Sequence, residues 1–167
     1  FGFVVYSERE KDMKTFLNIL AWLAALFISV IFLDSLRYKF TGHPTPEHIF
    51  TTLRDWSGIG LFFPAGPWII GVAEALAALC LIVLPAIFLL TKKQGSARNT
   101  QMFGALIAIG VMSGAIIFHL FTPLGISTPT EWIDGEPAAF SPALFIAACV
   151  SWLCAAFLLV FRGKQRP

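Results

Sequence analysis

Charge is what this sequence has least of. Asp, Glu, Lys and Arg make up 13% of its 167 residues, about half the quarter usual in a soluble domain. Apolar side chains make up 57%, and the mean hydropathy is +0.76. That balance argues against a water-soluble globular chain and for an integral membrane protein. The formal net charge of +2 argues against nucleic acid as a partner, because phosphate backbones are held by clustered Lys and Arg. Cysteine is also sparse. Cys80, Cys149 and Cys154 fall within apolar runs and none belongs to a CxxC, so neither a thiol relay nor a disulfide is expected. Of the three histidines, His43 and His48 are separated by two prolines with no cysteine near, so no metal or haem site is expected. No glycine-rich phosphate loop or flavin motif occurs, and no cofactor is expected to reside in this chain itself.

What is present is long apolar runs. A helix crossing a bilayer needs about 20 apolar residues, and four stretches meet that length, near residues 15–36, 67–90, 102–121 and 142–161. They leave no room for a separate soluble domain, so residues 1–167 read as one membrane domain. The chain opens without Met, and Met13-Lys14 reads as a plausible start; no function is assigned upstream of it. A signal peptide would need a shorter apolar region and a small-residue cleavage pattern, so the first run is kept as a helix. Between the first two runs, Gly42-His43-Pro44 breaks the chain. Thr45 then reads as a cap and Pro46 as the first helical position. Ile49, Phe50, Leu53 and Trp56 recur at helical spacing over residues 46–57, with Arg54 and Asp55 pointing away. This predicts an amphipathic helix lying at the interface and anchored by Trp56. Residues 122–141 are rich in Pro and Gly and carry no Lys or Arg, which predicts an ordered surface loop. The expected fold is all-α: an integral membrane four-helix bundle with an additional short interfacial helix on the outer side.

The basic residues orient the chain. The N-terminal stretch, the 91–101 turn and the C-terminus carry three Lys or Arg each, the first long loop carries three, and the 122–141 loop none. Both termini are therefore expected in the cytoplasm and the two long loops outside. Glu74 then lies inside the second run, about 9 Å from its outer end. A carboxylate there costs about 2.5–3.5 kcal/mol on insertion scales, so it needs a partner or a function. Gly71, Ala77 and Ala78 surround it with small side chains, a surface shaped for another helix. His119, near the outer end of the third run, and Asp34, Arg37 and Lys39, which close the first, come to the same level. These five are the candidate ligand-binding residues, suited to a quinone head group or another small polar ligand that needs a donor and an acid or base at that depth. The competing reading has His119 bonding a backbone carbonyl and Arg37 and Lys39 reaching out to lipid headgroups. On the third run Gly110 and Gly114 form a GxxxG pair nearly opposite the stripe of Gly104, Ala108, Ala115 and His119. That pair packs either within the bundle or against a partner subunit.

Three motifs carry a resemblance: Arg37-Tyr38-Lys39-Phe40-x-Gly42, Gly71-x-x-Glu74, and Gly114-Ala115-x-x-Phe118-His119-Leu120 followed by Pro123-Leu124-Gly125. Over roughly residues 32–161 the chain resembles the DoxX-like family of small bacterial membrane proteins, and departs from it in the long acidic loop with Trp132. The resemblance implies a four-helix bundle in the bacterial inner membrane. In some members it implies a subunit of a membrane oxidoreductase acting on quinone or sulfur compounds, or a component of a redox-stress complex. Two functions stand as expectations. One is an accessory or assembly subunit bound to other membrane proteins. The other is a quinone-linked or small-ligand redox protein using Glu74 and His119. A transporter is less expected, because four helices without an inverted repeat lack the usual transport architecture.

Overall fold

In a computed structural model, which describes residues 2–165, the chain runs α1 (Gly2–Phe40), α2 (Pro44–Ser57), α3 (Ala65–Ala78), a wide π turn (Leu79–Val83), α4 (Leu84–Leu90) and α5 (Gln94–Phe121). It ends with strands β1 (Thr128–Ile133) and β2 (Glu136–Ser141) and helix α6 (Ala143–Lys164). Four helical segments are long and apolar enough to cross a membrane: Glu8–Phe40, Ala65–Leu90, Gln94–Phe121 and Ala143–Lys164. They form a closed ring in which α1 packs on α3 and α6, and α5 packs on α6, α3 and α4. One end of the ring carries the turn around Lys92 and the close of α6. The other carries α2 and the β-hairpin, and is called the hairpin end below.

The core is built largely from small side chains. On α1, Ala21, Ala25, Ile28 and Phe32 follow one another at helical spacing and are fully buried; Ala77, Leu81, Ala105, Ala108, Ala148, Ala155 and Leu158 meet them from the other helices. Alanine at these crossings lets helix backbones approach, which is how helices associate where lipid offers no hydrophobic penalty. One close crossing is at Gly104, where an added Cβ would lie 3.0 Å from Ala77 O and from Cys80 Cβ.

The π turn has a local cause. Pro85 has no N–H, and its ring would clash with the carbonyl four residues earlier, that of Leu81. The chain widens ahead of it, with Leu84 N–H reaching back five residues to Leu79 O. The orphaned Leu81 carbonyl is taken by a side chain from the next helix: Gln101 Nε2 donates to it at 3.1 Å, both groups being buried.

The structure corrects three sequence expectations. The chain is not all-α: residues 128–141 are an antiparallel hairpin pairing Thr128 with Ser141 and Ile133 with Glu136. Asp134 and Gly135 form its two-residue turn with φ 52° and 84°, the Asp-Gly turn that matches strand twist. Helix α2 begins two residues early, because His43 is its cap, its Nδ1 accepting from Thr45 N at 3.2 Å, with Pro44 at the first turn. Helix α5 begins at Gln94 rather than near 102, its polar first turns extending beyond the apolar run.

A candidate functional site at the hairpin end

Two helices running in opposite directions create the polar centre. Helical side chains tilt toward their own N-terminus. Lys39, near the end of α1, therefore leans back into the bundle, while Glu74, on α3, leans toward the hairpin end. They meet: Lys39 Nζ lies 2.7 Å from both Glu74 Oε1 and Oε2 and also donates to Ser35 Oγ, one turn earlier on α1. The side chains are 11% and 4% exposed, so Lys39 does not reach out to headgroups as the competing reading expected. Its three N–H donors are all used, and both carboxylate oxygens are engaged. The pair is internally complete.

Gly71 makes the meeting possible. A Cβ there would lie 2.6 Å from the Phe40 ring, which fits against the bare backbone and stacks on Trp68 with centroids 4.7 Å apart. This aromatic pair sits one turn closer to the hairpin end than the ion pair.

The other candidates stand apart. Arg37, two residues from Lys39 and thus on another side of α1, donates to Asp34 Oδ1 at 2.9 Å and to Tyr38 OH at 3.0 Å; the Arg37 and Asp34 side chains are more than half exposed. His119 is buried, with Nδ1 2.6 Å from Gly125 O. A carbonyl only accepts, so Nδ1 carries the hydrogen, and the ring closes the turn after α5 while meeting the edge of Phe145 at 5.7 Å. No hydrogen bond joins Glu74 to His119 or to Arg37 among the described residues. The five residues therefore form three separate local arrangements. On α2, Arg54 Nε donates to Asp55 Oδ1 at 2.7 Å, a hydrogen bond that holds the exposed Asp55 carboxyl below its usual range.

Gly110 and Gly114 meet nothing within 4 Å, so this face of α5 does not pack inside the bundle. The opposite stripe does: Gly104, Ala108 and His119 are buried. Sequence reasoning missed Ser35 and Gln101. The first was legible as the residue four before Lys39, the second only as the answer to a proline inside an apolar run. It also missed the clasp over the hairpin end. There Thr45 Oγ1 donates to Pro129 O at 3.1 Å and accepts from Trp132 Nε1 at 2.9 Å, tying the hairpin to the start of α2. Among the described residues no three His, Cys, Asp or Glu side chains come together in a metal-binding group.

Fold and site together define a small four-helix bundle of membrane-crossing length, capped at one end by a helix and a hairpin and holding one buried ion pair. Compared with family models, with curated proteins and with solved structures, the chain matches none.

Proposed function

We propose that this chain is a small multi-pass subunit or assembly factor of a larger membrane complex, inserted in a bacterial inner membrane with both termini in the cytoplasm. The observation that carries this reading is the outward face of Gly110 and Gly114, which has open space around it although it lies midway along a helix otherwise packed by small residues. Backbone exposed in this way suits close approach by a helix of another subunit. The saturated Lys39–Glu74 pair supports the same reading, since it offers no free donor to a substrate. A redox role for the complex is supported by the DoxX-like resemblance. Its motif residues contact one another here: Phe40 on Gly71, Lys39 on Glu74, and His119 on Gly125. Any electron-carrying cofactor would then reside in the partner. Replacing Gly110 and Gly114 together by Leu is expected to reduce copurification of partner subunits in mild detergent while leaving the thermal midpoint of the isolated chain within a few degrees of wild type. Undiminished copurification would remove this reading.

A second reading rests on the ion pair itself. Lys39 and Glu74 form a buried pair toward the hairpin end, and a quinone carbonyl could replace one carboxylate oxygen at Lys39. A quinone-induced rise in thermal midpoint that is lost in Lys39→Met/Glu74→Met would support it; an unchanged rise would remove it.

A further inference from the structure

At the bundle end opposite the hairpin stand one buried and one half-buried arginine that no carboxylate pairs with among the described residues. Arg162, in the last turn of α6, is 6% exposed. Its Nη1 donates to Asn18 Oδ1 on α1 and to Gln165 Oε1, both neutral, and its Nε is buried with no partner. Arg98, in the first turns of α5, likewise has a buried Nε without a partner. The two helices touch at this level: a Cβ on Gly163 would lie 3.8 Å from Met102 Cε, and Arg98 stands one turn from Met102 on the same side of α5. Neither guanidinium takes part in an ion pair among the described residues. Of the acids near this end, Glu10 pairs with Lys14, and Glu8 and Asp12 are exposed on the stretch of α1 that precedes its buried stripe.

Arginine cannot shed its charge, so two neighbouring guanidiniums in a partly enclosed site repel each other until an anion joins them. A buried donor left unsatisfied adds its own cost. The planar fork of a guanidinium matches the oxygens of a phosphate, and Asn18 holds that of Arg162 in place. We infer that Arg98 and Arg162 bind a phosphate group between α5 and α6, supplied by the head of an anionic phospholipid. The lipid source rests on the membrane reading above, because only in a bilayer does this end of the bundle meet the headgroup layer. The site itself rests on the two arginines alone. Insertion is tested separately by cysteine labelling, so the two ideas fail in different experiments.

The test uses the full chain purified in mild detergent, with lipid retention read by native mass spectrometry and thermal midpoints read in parallel. Added phosphatidylglycerol is expected to remain bound to the wild type in a one-to-one adduct more persistent than that of phosphatidylcholine. Arg98→Gln should weaken the adduct by about tenfold or more. Arg162→Gln should weaken it as well, and will also lower the midpoint through loss of the Asn18 contact; among the described residues Arg98 makes no side-chain hydrogen bond, so its replacement separates binding from folding. Lys92→Gln, an exposed charge at the same end, should leave the adduct unchanged. Retention by Arg98→Gln equal to wild type, or an equal loss in Lys92→Gln, would overturn the site. If inorganic phosphate alone raises the wild-type midpoint in lipid-free micelles but not that of Arg98→Gln, and phosphatidylglycerol is not retained, the phosphate site stands and its lipid source is overturned.

Discussion

At Lys39 and Glu74 each charge is tolerable only because the other is there. A lone charge in this setting costs several kcal/mol, and removing one partner of a buried pair typically costs about 3–5 kcal/mol. Glu74→Ala or Lys39→Ala is therefore expected to lower the unfolding free energy in detergent by that order. Lys39→Met/Glu74→Met should recover most of the loss, since an apolar pair of similar volume removes both desolvation penalties. A double variant no more stable than the singles would show that the pair does more than satisfy itself. Gln101 poses a similar test. Leucine there leaves the Leu81 carbonyl without a donor, for an expected loss of about 1–3 kcal/mol. Pro85→Ala in the same chain supplies a backbone N–H to that carbonyl and should restore part of it. The sequence shows Glu74 as anomalous because its run is otherwise apolar. It does not show the partner, because Arg37, Lys39 and His119 all lie at a similar level, and choosing among them requires knowing how far around α1 and α5 each side chain points.

Elements at the hairpin end are joined by few but specific contacts. Helix α2 buries Phe50 and Leu53 while leaving Trp56 53% exposed, and the hairpin is tied to it by the Thr45 hydroxyl. Thr45→Val keeps the shape and removes both hydrogen bonds, each worth about 0.5–1.5 kcal/mol. Faster amide exchange is expected across residues 128–141, with protection of the four long helices unchanged. Uniformly faster exchange in the helices would mean that the cap is part of one cooperative unit with the bundle. The hairpin was legible in principle from Asp134-Gly135 between residues that alternate in burial potential. Its proline and acid content resembles that of a surface connection, and Pro129 and Pro137 are tolerated only because a two-stranded ribbon has two free edges.

For the whole molecule, the proposed orientation rests on nine basic residues at one end against three at the other. In a background with the three native cysteines replaced, Gly95→Cys is expected to react with membrane-impermeant reagent only after the membrane is opened, whereas Glu136→Cys should react in intact cells. Glu136 serves better than its neighbour Gly135, whose φ of 84° disfavours any side chain. The reverse pattern would invert the topology and move the Lys39–Glu74 pair to the cytoplasmic side.

By itself the sequence determined the number of long apolar helices and the place of each apolar run, because these follow from the length and composition of uninterrupted runs; it did not determine where α1 and α5 begin, since their polar first turns extend beyond those runs. It also determined that Glu74 needs a partner and that Gly104 and Gly110 lie on different sides of one helix, since both are matters of local period. Only the tertiary structure decided that Lys39 is that partner, that His119 is spent on the Gly125 carbonyl, that the Gly110 and Gly114 face is open, and that Arg98 and Arg162 each bury an Nε. Each of these depends on which faces of separate helices are turned toward one another. Crossings such as those at Gly71 and Gly104 set that rotation through backbone approach, a quantity that no single helix carries in its own sequence.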